Sequence, residues 1–331
     1  MQILVQKLRT HKMKFTALPI VLALGLATAM PFAAQTAPPW WAYPVNPPGL
    51  EVEPDDGVPR RVPGSDKAFT LTQIRDLFAA PDWHPGDHPQ MPEFVARGRK
   101  PGVFACGYCH LPNGLGRPEN SSLAGLPVEY IVQQMADFKS GARKTSEPRS
   151  LPIALMIAVS GSVTDEDVRI AAEYFSGLSP QPWIRVIEAD TVPKTKVEGW
   201  MLVEDHSGGS EPIGSRIIEM PEDLERTELR DARSGFVALV PPGSLRKGKA
   251  LAAGGDGRTV ACAICHGEGL RGLGPVPALA GRSPSYLFRQ LYDMQHGVRN
   301  GSWAALMKPV VAQLGEDDFI ALAAYAASLA P

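Results

Sequence analysis

Cysteine is scarce in this chain: there are four in 331 residues. So few thiols exclude a disulfide-dense scaffold. Charge of one sign is also missing. The formal net charge is −2, and there is no basic block, stacking platform or glycine-rich phosphate loop. Nothing therefore points to a nucleic-acid partner or to nucleotide chemistry. What is abundant is glycine and proline, 32 of each, which break helices and predict short helices in a loop-rich fold. With 44% hydrophobic and 21% charged residues, the composition is globular, and the length allows two or three modest domains.

All four cysteines fall in two short segments, Cys106-Gly-Tyr-Cys-His110 and Cys262-Ala-Ile-Cys-His266. Cys-x-x-Cys-His is the spacing of a c-type haem attachment site. Two thiols on one helical turn reach the two vinyl groups of a haem, and the following histidine turns its imidazole to the iron. The segments thus predict two covalent haem c groups, with Cys106, Cys109, Cys262 and Cys265 as attachment residues. His110 and His266 are then the proximal iron ligands. A Cys-x-x-Cys disulfide, or a zinc site drawing on all four thiols, are the alternatives. Neither explains a histidine after both pairs.

An internal repeat surrounds the two segments. Tyr130 to Arg143 aligns with Tyr286 to Arg299 at an offset of 156 residues, the same that separates Cys106 from Cys262. Leu123-Ala-Gly125 and Leu279-Ala-Gly281 share it. Further on the offset falls to 151, where Met156 pairs with Met307, so the first copy holds five extra residues. Each copy closes on a helix, the first with Thr164 as its cap and Asp165 to Asp167 at its positive end. A thioether at the matched methionines gives His/Met ligation, which raises the reduction potential and closes the iron. Met156 and Met307 are therefore the distal candidates, against the commoner use of methionine as core filler. Met135 pairs with Leu291 and Met294 with Phe138, so the repeat sets both aside. Arg143 and Arg299 are matched cations, read either as partners of haem propionates or as solvated surface. Tyr130 and Tyr286 read as packing residues. His84, His88 and His206 read as surface histidines.

Outside the repeat the pattern changes. Lys7, Arg9, Lys12 and Lys14 precede an apolar run over 20–30 and small residues near 33–37, the make-up of a secretory signal peptide covering 1–37. An uncleaved anchor is the alternative, since the run stretches to about 18 residues from Leu18. No cysteine follows the run, which argues against a lipoprotein anchor. Residues 38–91 form a proline-rich extension whose Trp40, Trp41 and Tyr43 suit a packed surface, with a short helix expected over 70–78. Residues 180–243 read as short strands, at 183–187, 197–203, 217–218 and 236–240. They form either a β insertion or a long arm lying across both copies.

Each copy, over 92–179 and 244–331, resembles a class I cytochrome c domain, and the tandem resembles the cytochrome c4-type dihaem family. The residues that carry this are the two attachment segments, the Leu-Ala-Gly triplets, the Tyr-to-Arg helices, Met156 and Met307, and the acidic starts of the closing helices. The resemblance implies a mainly α fold of two helical domains with an irregular, β-rich segment between them. It implies single-electron transfer in the periplasm by a soluble or membrane-associated carrier rather than an enzyme. The expected partners are a donor dehydrogenase and, downstream, a terminal oxidase or another cytochrome. The alternative is a dihaem redox enzyme such as a peroxidase, which needs an open distal position; a Cys-ligated oxidising haem would need a fifth cysteine. The extension and the middle segment are additions to the family pattern and point to a dedicated docking surface.

Overall fold

The computed structural model describes residues 37–331. The expected targeting segment, 1–37, falls outside the described residues except for its last position. The chain enters through Trp41, Ala42 and Tyr43, which are all buried. These aromatics belong to the hydrophobic core of the second copy, nearly 250 residues away in sequence, and the Tyr43 hydroxyl donates to Asp293 Oδ1 at 2.7 Å. The extension therefore wraps.

A capping box at Thr70 and Gln73 starts α1 (Leu71–Ile74). The helix stops well short of residue 78. Asp76 Oδ1 takes the Phe78 N–H at 2.9 Å, and Asp76 O takes the Ala79 N–H, so the local Asx turn outcompetes another helical turn. Next come α2 (Glu93–Arg97), α3 (Cys106–His110), α4 (Val128–Lys139), α5 (Leu151–Ser162) and α6 (Asp165–Ser176). Thr164 and Asp167 form the reciprocal capping box that opens α6, and Arg99 locks it from outside with contacts of 3.1 and 2.7 Å to Asp167.

The middle segment holds β1 (Ile184–Glu188), β2 (Thr191–Pro193), β3 (Thr195–Glu198), β4 (Met201–Glu204), β5 (Ser210–Pro212), β6 (Ile218–Pro221), α7 (Leu224–Glu228) and β7 (Phe236–Val240). β7 lies between β1, parallel, and β6, antiparallel. The run 197–203 is not one strand. Gly199 and Trp200 both take positive φ, near 60°, and fold the run into the β3–β4 hairpin. That two-residue turn twists with the strands it joins. The segment packs on both copies: Val192, Ile217, Ile218, Ala238 and Val240 share one buried cluster with Phe288 and Phe319 of the second, and Trp183, Met201 and Phe236 share another with Ala172 and Phe175 of the first.

The second copy comprises α8 (Ser244–Ala252), α9 (Ala263–His266), α10 (Pro284–Gln295), a 3-10 turn (Ala304–Met307), α11 (Lys308–Val311) and α12 (Glu316–Ser328). α4 and α10 have the same 12-residue length and keep the 156-residue offset at both ends. The copies differ at the distal methionine. Met156 sits in a continuous 12-residue helix, whereas Met307 ends a 3-10 turn that leads into α11, where Pro309 lies in the first turn. Among the described residues no helix is long and apolar enough to cross a membrane.

Candidate functional site

Both attachment turns are single helical turns that place their histidine inside. His110 and His266 are buried. The Nδ1–H of His110 donates to Ser121 O at 2.8 Å, and that of His266 donates to Pro277 O at 2.8 Å. The two acceptors are themselves 156 residues apart. A carbonyl on Nδ1 fixes the tautomer and aims Nε2, lone pair outward, at the space where a metal ligand is needed. Burial lowers both imidazole pKa values, which favours the neutral, ligating form. The four thiols are unpaired with one another. Among the described residues, no group of three or more His, Cys, Asp or Glu side chains is placed to hold a metal ion. The four-thiol zinc reading therefore finds no site.

A cavity of about 500 Å³ opens over the first attachment turn. Cys106, Cys109 and His110 line one side of it, and Met156 and Val159 of α5 line another. Met135, which the repeat sets aside, also reaches the cavity from α4. Tyr286, Arg289 and Gln290 of α10 and Tyr43 of the extension complete the wall, so the first site is built partly from the second copy. In the second copy Cys262 is half-buried, Cys265 is exposed, and Met307 is half-buried against the core.

Between the copies lies a cluster that the sequence signalled only by its offset. Arg143 donates to Gln134 Oε1 (2.9 Å), Tyr286 OH (3.0 Å) and Gln290 Oε1 (3.2 Å). Arg299 returns the pattern, donating to Gln290 Oε1 (3.1 Å), Tyr130 OH (2.9 Å) and Gln134 Oε1 (2.9 Å). The backbones meet there too, where Lys144 N–H donates to Val298 O and Asn300 N–H to Ala142 O. Tyr130 and Tyr286 thus hydrogen-bond across the interface as well as packing, Tyr130 against the first copy's core. Arg143 and Arg299 are both buried, which removes the solvated-surface reading.

Neither guanidinium has a carboxylate within ion-pair distance among the described residues, and the buried Nε of Arg299 has no partner. Burial works against the Arg299 charge, but the neighbouring Tyr130 and Tyr286 hydroxyls and Asp293 outweigh it and raise its pKa. At Tyr286, burial works to raise the hydroxyl pKa, but the pull of Arg143 and Arg299 outweighs it and brings the value down to about 8. The cluster is a pair of buried cations with one donor, Arg299 Nε, left for a further acceptor. A haem c group fits these residues: thiols at the right spacing, an aimed imidazole, an apolar cavity and cations for its propionates.

The remaining histidines lie apart from this arrangement. His84 is buried, not at the surface, with Nε2 2.9 Å from Asp231 Oδ1. His88 pairs with Asp82 at 3.2 Å, His206 is exposed, and His296 stacks on Tyr292.

No protein-family model matches the chain. Curated relatives do, among them the following three. The thiosulfate dehydrogenase electron acceptor of Stutzerimonas stutzeri (strain A1501) is 26% identical over 239 residues, covering 71% of this chain and 84% of the relative. Cytochrome c4 of Stutzerimonas stutzeri is 30% identical over 230 residues, covering 67% of this chain and 83% of the relative. Cytochrome c-554(548) of Halomonas halodenitrificans is 38% identical over 78 residues, covering 23% of this chain and 94% of the relative, a length that suits one copy of the repeat.

Proposed function

We propose a role for this protein from one premise: the chain belongs to the cytochrome c4 family. It is a dihaem c-type electron carrier, not an enzyme, with two covalently bound haem c groups. Each haem would supply one-electron chemistry at its iron. In our reading Cys106 and Cys109 hold the first haem, and Cys262 and Cys265 the second. His110 with Met156, and His266 with Met307, ligate the two irons. The histidines are oriented by Ser121 O and Pro277 O, while Arg143 and Arg299 meet propionate charge between the copies. Residues 92–179 and 244–331 act as the two cytochrome domains, joined by 180–243, and 1–37 directs export to the periplasm.

The observation that carries this reading is the matched pair of buried histidines, each with Nδ1 tied at 2.8 Å to a carbonyl 11 residues on. That is the arrangement a proximal ligand needs twice over. For the donor we propose a periplasmic dehydrogenase, with a terminal oxidase or another cytochrome as acceptor. Two relatives are named as acceptors for thiosulfate dehydrogenase, which supplies a donor to test. Oxidised protein mixed with thiosulfate and a thiosulfate dehydrogenase should become reduced at both haems, and thiosulfate alone should reduce neither. Reduction by thiosulfate alone would overturn the carrier role, and no reduction in the complete mixture would remove this donor.

A further inference from the structure

The backbone of the middle segment breaks local rules at two places. Among the described residues, four that are not glycine take positive φ. Leu111 and Leu270 follow the two attachment turns, and the others are Trp200 and Arg230 of the middle segment. Both of these stand where glycine is the usual choice. Trp200 is the second residue of the β3–β4 turn, with φ 60° after Gly199 at 59°, a pair of values that favours Asn-Gly. Arg230, with φ 57°, lies just past the end of α7. There the Asp231 N–H donates to Arg226 O at 3.0 Å and the Arg230 N–H to Thr227 O at 3.1 Å, which closes the helix through a left-handed residue, ordinarily glycine. A large side chain on left-handed backbone is strained, and it persists only where its surroundings hold it.

The surroundings hold both. Asn46 Oδ1 accepts the Trp200 N–H at 2.8 Å. Next along β4, Met201 is buried in the first copy's core and Leu202 in the second's, which fixes the turn between them. Trp83 of the extension donates its indole N–H to Leu229 O at 2.7 Å, beside Arg230. The Arg230 guanidinium stands 3.7 Å from the centre of the Tyr108 ring and donates to Tyr108 O at 2.9 Å. With Phe78 against Phe104, ring centroids 5.2 Å apart, it makes a roof over the first attachment turn. Ile264, which the repeat aligns with Tyr108, is 68% exposed.

The strain delivers both side chains to one place. Trp200 and Arg230 are both in the wall of the cavity over Cys106, Cys109 and His110. Neither has a counterpart in the repeat, because the middle segment lies outside it. Arg117, in the same wall, has its charge met by Glu119, with Nε 2.6 Å from Oε1. Arg230 hydrogen-bonds a carbonyl instead, and has no carboxylate within ion-pair distance among the described residues. From this we infer that the middle segment completes the first haem site and raises its reduction potential, Arg230 by its charge and Trp200 by keeping water from the cavity wall. Reduction adds one electron to the site. A cation in the wall with no carboxylate beside it favours the reduced form, and so does a wall that excludes water. The inference rests on the electron-carrier reading and deepens it, placing one of the two potentials under a segment outside the cytochrome domains.

The test is an optical redox titration of the holoprotein carrying Trp200→Gly or Arg230→Gly. Glycine suits both backbones, so each variant keeps its turn and loses only the side chain. The wild type should give two one-electron waves. Arg230→Gly should lower one wave so that the ratio of reduced to oxidised haem at a fixed potential falls roughly tenfold, or 59 mV for a one-electron couple. Trp200→Gly should lower the same wave several-fold, Trp200→Phe should keep most of the wild-type value, and the other wave should stay in place. Arg233→Gln removes a half-exposed cation of the same segment, paired with Asp87, and should move neither wave. Unmoved waves in both glycine variants, different waves moved by the two, both waves lowered alike, or an equal drop in Arg233→Gln would overturn the inference. Two one-electron waves in the wild type keep the carrier reading whichever way the variants fall; a wild type without them removes that reading and the inference with it.

Discussion

Glu219 on β6 ties the middle segment to the second copy. Its Oε2 accepts from Ser283 Oγ (2.8 Å), Ser285 N–H (3.0 Å) and Ser285 Oγ (2.5 Å), all at the start of α10. The side chain is buried, and its Oε1 has no partner. α10 in turn sends Tyr286 and Gln290 into the interface cluster, so this contact sets where the first site's far wall stands. Glu219→Ala strands three buried donors, which at about 1 kcal/mol or more apiece predicts a loss of about 3–4 kcal/mol. Glu219→Gln keeps the acceptor and should cost about 1 kcal/mol or less. The pH dependence follows from burial, which raises the carboxyl above its ordinary 4.5, the hydrogen bonds opposing the shift. A raised folded pKa means the stabilisation is complete below 4.5 and is lost as pH climbs through the folded value. Wild type should therefore lose ground to Glu219→Gln as pH rises from 4.5 towards neutrality. Urea unfolding of the holoprotein, followed in the far ultraviolet and in the Soret band, reads all three. A wild-type midpoint for Glu219→Ala, or an advantage of wild type over Glu219→Gln that grows with pH, would refute the reasoning.

Met156→Ala and Met307→Ala should each lower one haem potential, by on the order of 0.1 V within the ~0.8 V span that axial ligands command. A redox titration that leaves both potentials in place would return the methionines to the core. Gly301→Ala drives a methyl into the Asp137 carboxylate at the seam between the copies, and should cost about 1–3 kcal/mol in urea unfolding. At the start of α6, the Arg99 contact and the Thr164 cap hold Asp167 down at about 2, with burial opposing them. A depressed pKa contributes stability that is present above 3.8 and lost as pH falls towards 2. Asp167→Asn should flatten acid unfolding in that window and cost about 1 kcal/mol at neutral pH, discounted for the half-exposed guanidinium.

The attachment turns were readable because their chemistry dictates residue type and spacing together. The repeat was readable because α4 and α10 kept their register to the residue. The roof was not. Nothing local in Arg230 says that it will cover Tyr108, because that contact spans 122 residues. The hairpin at Gly199 and Trp200 hid inside the run 197–203, where the β-branched and aromatic residues read as a single strand although Gly199 marked the turn. Arg143 and Arg299 carried a usable signal. Matched polar residues at one offset, with matched tyrosines and glutamines, mark a surface that the two copies share, and Tyr130 and Tyr286 deserved the same reading. The runs that became β1, β6 and β7 were recognisable as strands, whereas the three-residue β2 and β5 were too short to read, and apolar patterning did not say which core each joins: Ile218, Ala238 and Val240 joined the second copy's, Met201 and Phe236 the first's.

The central claim is a carrier whose two irons are each closed by a histidine and a methionine. The most direct measurement is the absorption spectrum of the dithionite-reduced holoprotein before and after carbon monoxide. Two low-spin haems whose bands do not move are the expected result. A high-spin haem whose Soret band shifts on adding the gas would show an open iron and contradict it.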